Sequence, residues 1–147
     1  MHLVSIEEQH HLLSALAVED LAIEVAAGGS GANTMIGVSQ LGGSAVFSGK
    51  IGRDKHGVIY RKKLEDSGVT ALLGEGDGST GSSLVLVGDD GGRTMNTFLG
   101  MSQDLNIQDI DQEIVQASSC LYLTGYLWDT KSQKETVMNL LNLAKKK

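Results

Sequence analysis

The sequence contains no proline, a single cysteine, few aromatic side chains and no long apolar run. Only 4% of its 147 residues are aromatic, so a core has to be built from aliphatic side chains. Cys120 cannot form an internal disulfide, which fits a reducing, cytoplasmic setting, and its apolar flanks predict a buried strand thiol. A signal peptide and a membrane span of roughly 20 apolar residues are both excluded. We therefore expect a soluble protein of one domain.

Positive charge is also scarce. Lysine and arginine number 12 against 18 acidic residues, which gives a formal net charge of −6. A general attraction to nucleic acid or to an anionic membrane is therefore not expected, and Lys145–Lys147 is too short to reverse the balance. The composition favours a small molecule as the partner.

Glycine, in contrast, is abundant, with 19 residues. The run Ala26–Thr34 consists largely of small residues and leads into a helical pattern that carries Asn33 near its start. Glycines at such an entrance let a ligand approach the backbone, and free helix N–H groups point toward it. The run predicts a polar small-molecule site, although a glycine turn with an amide helix cap would explain it equally well in isolation.

Hydrophobic periodicity predicts an α/β fold. Helices are expected at residues 6–17, 31–41, 109–116 and 130–144, with another that Asp54 caps and Gly68 ends; strands are expected at 21–26, 44–51, 69–73, 82–88, 93–98 and 119–124. The turn Asp89–Gly92 joins two of the strands as an antiparallel hairpin. The final strand and helix favour a parallel sheet covered by helices.

Two common nucleotide-binding motifs are excluded by their details. Gly29-Ser30-Gly31 lacks the third glycine of the dinucleotide fingerprint. Gly43–Lys50 resembles a phosphate-binding loop, but its spacing is one residue too long and Ile51 stands where a serine or threonine is needed. Neither motif supports a nucleotide site.

Several short motifs, in matching order between residues 26 and 125, resemble the first half of a PfkB-type (ribokinase-like) carbohydrate kinase. They are Gly28-Gly29-Ser30-Gly31-Ala32-Asn33, Leu41-Gly42-Gly43, Gly49-Lys50-Ile51-Gly52-Arg53-Asp54, Leu64-Glu65-Asp66-Ser67-Gly68-Val69 and Thr80-Gly81. The first motif is similar to that of the adenosine kinase branch. The resemblance implies a partial Rossmann-like sandwich with a small antiparallel lid at about 80–99, forming one incomplete domain over 1–147 that is truncated at both ends.

The same resemblance implies an activity. Such enzymes transfer the γ-phosphate of ATP, with Mg²⁺, to a primary hydroxyl, here that of a nucleoside such as adenosine. Their C-terminal Gly-Ala-Gly-Asp motif, which carries the catalytic base, and their ATP site do not occur in this sequence, so we expect the 147 residues alone to show no turnover. A kinase of a simple sugar such as ribose or a ketose, and a non-catalytic ligand-binding or dimerising remnant, remain alternatives.

The resemblance also assigns binding roles. Gly28 and Gly29 would contact the acceptor through their backbone, and Asn33 would hydrogen-bond to its hydroxyl groups. An amide suits that role because it both donates and accepts without a charge to neutralise. No metal ligands are predicted, and an exposed sheet edge would allow self-association.

Four further residues align with positions around the acceptor. Arg93 would offset charge on the transferring phosphate, or it is a solvated arginine on a strand. Met95 and Leu99 would lie beside the base, or they serve core packing. Tyr126, expected just past a parallel strand, would stack on the base or cover the core.

Overall fold

The computed structural model of the protein describes residues 2–18 and 23–145. The strands are β1 (His2–Leu3), β2 (Val46–Gly52), β3 (Thr70–Gly76), β4 (Ser82–Val87) and β5 (Arg93–Phe98); the helices are α1 (Ile6–Val18), α2 (Ser30–Gln40), α3 (Lys55–Asp66), α4 (Gln112–Ala117) and α5 (Lys131–Ala144). Short 3₁₀ helices occupy Gly100–Asp104, Ile107–Asp109 and Gly125–Trp128. In the part of the chain described, no helix is long and apolar enough to cross a membrane.

The strands form two separate sheets. In one, β2 and β3 are parallel, with Val46 opposite Thr70 at one end and Gly52 opposite Gly76 at the other, and α3 connects them. In the other, the order is β1-β5-β4; β5 is parallel to β1 and antiparallel to β4. The predicted α/β fold with a small antiparallel hairpin is confirmed. Strand β4 lies at an edge of its sheet. Self-association through this edge stays a prediction.

Helix α3 illustrates how the sequence sets local structure. Asp54 accepts a hydrogen bond from the Gly57 N–H and so caps the first turn. The helix ends before Gly68, whose φ of +78° is a left-handed conformation that favours glycine. The periodicity predicts a buried face of Gly57, Tyr60 and Leu64; Gly57 and Leu64 are buried, and Tyr60 is partly buried.

The core between α2, α3 and the β2–β3 sheet is aliphatic, as the low aromatic content predicts. Its buried residues are Ala32, Ala45, Leu64, Val69 and Ala71. Partly buried side chains surround it, among them Phe47 and Tyr60, whose rings meet edge to face with centroids 6.2 Å apart. This core holds the start of α2 close to β2 and α3.

Helices α1 and α5 both begin at reciprocal side-chain caps. Ser5 and Glu8 bond each other's backbone N–H at the start of α1, and Thr130 and Gln133 do the same at the start of α5. Such reciprocal pairs satisfy helix N–H groups that have no partner within the helix. The predicted positions of both helices are confirmed.

Two predicted strands are wrong. Residues 23–26 and 119–124 adopt no strand, and residues 21 and 22 lie outside the described part. A run of apolar residues becomes a strand only when a neighbouring strand supplies the hydrogen bonds. Neither run pairs with a strand among residues 2–18 and 23–145, and both expose large side chains, including Ile23, Val25 and Tyr122.

Two related predictions also fail. The Cys120 thiol is exposed rather than buried, because its segment has no covering neighbour among the described residues. The helix predicted at 109–116 divides into the 3₁₀ turn Ile107–Asp109 and α4, which starts at Gln112. Asp109 accepts from the Asn106 N–H and pairs with Lys50, and Asp111 caps α4 instead.

Candidate functional site

The start of α2 is an open corner of the molecule. Gly29 occupies the position before the helix with φ +94° and ψ 139°, a conformation open to glycine. A Cβ added at Gly28 or Gly29 would meet no heavy atom within 4 Å. No side chain caps the helix, so the predicted alternative of an amide cap is not what forms here.

Asn33 lies one turn into α2 and is exposed. Its side-chain amide makes no hydrogen bond with any residue of the described chain, whereas the neighbouring Thr34 hydroxyl donates to the Ser30 carbonyl at 2.8 Å. The amide is therefore free to bind a group that arrives from outside.

Aromatic and methyl groups line the base of this corner. A Cβ added at Gly31 would lie 3.2 Å from the Phe47 ring and 3.4 Å from the Thr124 methyl. The Tyr60 hydroxyl donates to the Gly28 carbonyl at 3.2 Å. Burial raises the pKa of Tyr60 to about 12, so its hydroxyl stays protonated and keeps donating. We call this region the acceptor corner; its residues are Gly28, Gly29, Gly31, Asn33, Phe47, Tyr60 and Thr124.

The three predicted hairpin residues are spread along one strand. Arg93 is the first residue of β5, opposite Val87 beside the turn, and is exposed without an ion pair to any described residue. Met95 lies in the middle of β5 with 38% of its surface exposed. Leu99 follows the strand, at the root of the hairpin. No hydrogen bond or ion pair links these residues to the acceptor corner in the described structure.

Tyr126 lies in the 3₁₀ helix Gly125–Trp128 and is 72% exposed. The prediction that it follows a parallel strand is wrong, because residues 119–124 have no strand partner. The preceding Thr124 still touches the start of α2, so Tyr126 belongs to a segment that neighbours the acceptor corner.

Sequence reasoning missed a polar network at the root of the hairpin. The buried Thr80 hydroxyl accepts from the Gly52 N–H at 2.9 Å and donates to Asp54 Oδ1 at 2.7 Å, and the Thr80 N–H donates to Asp54 Oδ2 at 2.8 Å. Desolvation raises the pKa of Asp54. The hydrogen bonds from the Thr80 hydroxyl, the Thr80 N–H and the Gly57 N–H lower it, and the net result is a pKa below the usual value. Both residues lie in motifs noted above, but nothing in their spacing indicates a contact.

Two other features bear on nucleotide and metal binding. Lys50 lies within β2 and its ammonium is 3.0 Å from Asp109, so it is not part of a phosphate loop. Among residues 2–18 and 23–145, no group of three histidine, cysteine or acidic side chains is placed to hold a metal ion.

Two grooves of the described surface lie elsewhere. One, of about 630 Å³, is lined by β2, α3 and β3; in it Arg61 pairs with Glu75 at 2.8 Å. The other, of about 420 Å³, lies between β3 and residues 108–111. Neither contains a predicted site residue, so the acceptor corner is identified by its open backbone and free amide rather than by depth.

Fold and motifs together define a ribokinase-like kinase segment. The pfkB family carbohydrate kinase model matches residues 1–147, and the chain belongs to that family.

Three relatives illustrate the range of the family. The adenosine kinase structure from Sinorhizobium meliloti is 32% identical with a TM-score of 0.84, covering 98% of this chain and 43% of that one. A probable sugar kinase structure from Rhizobium etli CFN 42 is also 32% identical, with a TM-score of 0.86 and coverage of 99% and 44%. A probable chloroplastic fructokinase-6 from Arabidopsis thaliana is 25% identical over 137 residues, 90% of this chain and 36% of that protein. The chain thus spans less than half the length of each.

Proposed function

We propose that this protein supplies the acceptor pocket and the lid for ATP-dependent phosphorylation of a primary hydroxyl group on a nucleoside, with adenosine as the first choice. Kinases of the PfkB family act on sugars and nucleosides, and the identity to an adenosine kinase supports the choice within that range. The observation that carries the proposal is the acceptor corner, where an exposed, unpaired amide adjoins an open glycine backbone.

The corner has the chemistry that a ribose needs. Vicinal hydroxyl groups both donate and accept hydrogen bonds, and the Asn33 amide offers both functions. Gly28 and Gly29 leave space for the sugar to approach the backbone closely. Phe47 and the Thr124 methyl provide an apolar base beneath it.

The hairpin would complete the pocket as a lid. Closure over the acceptor excludes water, which otherwise competes for the phosphoryl group. The unpaired Arg93 guanidinium is then available to offset charge on the transferring phosphate. Met95 and Leu99 would contact the base from the hairpin, and Tyr126 would stack on it from the segment beside α2.

ATP would supply the phosphoryl group and Mg²⁺ would neutralise its charge. We assign neither of them to a residue of this chain. The single cysteine supports a cytoplasmic setting for the reaction.

A simple sugar is the second candidate acceptor. The probable sugar kinase named above is as similar to this chain as the adenosine kinase is, at 32% identity each, and the fructokinase is 25% identical. Calorimetric titration of the protein with adenosine, ribose and fructose 6-phosphate separates the candidates, because only a nucleoside pocket gains affinity from the base.

The Asn33→Ala variant tests the site itself. Loss of the amide should weaken binding of the preferred acceptor by about 1 to 3 kcal/mol, since a hydroxyl group would lose its partner. Asn139→Ala is the matched control, because Asn139 is an exposed asparagine on α5. The acceptor affinity of this variant should match that of the wild type. Unchanged acceptor affinity in Asn33→Ala would remove Asn33 from the site.

A further inference from the structure

Strand β3 has one backbone edge that does not face β2. Successive residues of a strand direct their backbone groups to opposite sides. The Thr70 N–H donates to the Ala45 carbonyl, next to β2. At the other end, the Gly76 carbonyl accepts from the Arg53 N–H, so the even-numbered residues of β3 face β2. The residues that point outward are Ala71, Leu73 and Glu75.

One arginine of α3 lies along this outward edge. The Arg61 guanidinium donates to the Ala71 and Leu73 carbonyl oxygens, at 3.4 Å each. It also donates to Glu75 Oε1 at 2.8 Å. A guanidinium can hold several acceptors at once, because its N–H groups form a planar fork. The Arg61 side chain is 31% exposed, so it lies against the strand instead of extending into solvent.

The N–H groups of the same edge are free. Those of Leu73 and Glu75 have no hydrogen-bond acceptor among residues 2–18 and 23–145, and no strand in that part of the chain pairs with this side of β3. The groove of about 420 Å³ adjoins the strand here, between residues 71–74 and residues 108–111. The edge is therefore open to another backbone except where Arg61 lies across its carbonyl groups.

The edge of the other sheet has no comparable side chain. The Gly88 N–H donates to the Gly92 carbonyl across the hairpin, so the even-numbered residues of β4 face β5. The carbonyl groups of Ser83, Val85 and Val87 point outward, and no side chain of the described structure bonds to them. Of these two strand edges, only that of β3 has its carbonyl groups occupied.

We propose that the free edge of β3 is a strand-pairing surface that Arg61 keeps closed, and that the partner it excludes is the same edge of a second copy of this chain. Unpaired strand edges readily add another strand, and charged side chains at the edge are a recurring protection against it. Two copies of one edge are complementary when they pair antiparallel about a two-fold axis. Glu75 is a positioning residue, because its carboxylate holds the guanidinium in place.

The Arg61→Met variant of the 147-residue chain tests the proposal. Methionine keeps a long side chain that favours the helix but has no group to bond the strand carbonyls. Sedimentation velocity over a concentration series should show a larger dimer fraction than in the wild type. The Leu73 and Glu75 amides should exchange with solvent about tenfold more slowly in a concentrated sample than in a dilute one, because the partner strand would bond them. In the wild type, their exchange should not depend on concentration.

Lys62→Met is the matched control. Lys62 is the next residue of α3, carries the same charge and pairs with Asp66 instead of with the strand. Its dimer fraction should equal that of the wild type. Glu75→Gln keeps the size of the side chain and removes the charge that holds Arg61, so it should raise the dimer fraction, though less than Arg61→Met does. It replaces Arg61→Met if that variant does not stay folded in solution.

The proposal is overturned if Arg61→Met associates no more than Lys62→Met. It is also overturned if the variant associates while the exchange of the Leu73 and Glu75 amides stays independent of concentration, since the contact would then lie elsewhere. Slower exchange of the Val85 and Val87 amides alone would place that contact at β4. None of these measurements involves an acceptor, so this proposal and the proposed function can fail independently.

Discussion

The hairpin root and the acceptor corner use polar groups in opposite ways. At the root, the Thr80 hydroxyl is buried and is bonded to the partly buried Asp54 carboxylate. At the corner, the Asn33 amide is exposed and makes no hydrogen bond with the described residues. No buried side-chain nitrogen or oxygen in the described part of the chain lacks a partner, so unpaired capacity is confined to exposed groups. The root therefore maintains geometry, whereas the corner has hydrogen-bonding groups left for the acceptor that we propose.

The largest expected effect comes from filling the space at the root. In Gly52→Ala, the added methyl would overlap the Gly78 carbonyl and lie 2.7 Å from the Thr80 nitrogen. Because both neighbours are backbone, the variant should lose about 4 kcal/mol of unfolding free energy in urea titration. Gly37→Ala in α2 is the control: its methyl meets nothing within 4 Å and should stabilise by about 0.5 to 1 kcal/mol. A small loss in Gly52→Ala would show that the root is loosely packed.

Two ion pairs of equal length differ in burial, and removing the lysine of each should change the unfolding free energy by different amounts. Lys50 and Asp109 are 3.0 Å apart with side chains only 12% and 13% exposed. Lys50→Met leaves the Asp109 carboxylate without its cation and should cost about 2 to 3 kcal/mol of unfolding free energy. Lys62 is also 3.0 Å from its partner, Asp66, but is 73% exposed, so Lys62→Met should cost at most about 0.5 kcal/mol. Equal losses in the two variants would contradict this distinction.

Lowering the pH should destabilise the hairpin root, where Asp54 loses its charge, before it affects the acceptor corner. Because the folded pKa of Asp54 is lowered, its stabilisation is present above the unfolded value of about 3.9 and is lost as pH falls through the folded pKa. Asp54→Asn should therefore cost about 1 kcal/mol at pH 7, and the difference from wild type should shrink below pH 4. Urea titrations at pH 7, 5 and 3 measure it; a difference that stays constant over this range would rule out a role for the charge.

The smallest effect is expected at the corner. Asn33→Ala removes an exposed amide with no bond to lose, and alanine is the better helix former, so unfolding free energy should change by less than about 0.5 kcal/mol. Together with weaker acceptor binding, this would separate a binding residue from a structural one. A loss of 1 kcal/mol or more would mean that Asn33 supports the fold.

Local signals in the sequence were sufficient for most elements. The caps at Ser5 and Asp54, the apolar face of α5 and the turn after Val87 each depend on a few neighbouring residues, and the helices and hairpin they define were predicted correctly. The segments 23–26 and 119–124 were not, because strand formation depends on a distant partner that composition cannot reveal. The exposure of Cys120 was not predicted for the same reason, since its burial depends on a distant partner as well.

The candidate site divides in the same way. Gly28, Gly29 and Asn33 lie within one stretch of six residues, so one motif predicted them together. The link between Asp54 and Thr80 spans 26 residues, with α3 and β3 between them, so no spacing rule could indicate it.

By itself, the sequence determined the kinase family, the aliphatic core and the glycine entrance to α2, because motifs, composition and helix caps are properties of short stretches of chain. Only the tertiary structure decided which polar groups are enclosed and which remain free, because burial depends on what the rest of the chain brings alongside. That is why the Thr80 hydroxyl became an anchor and the Asn33 amide stayed open to solvent.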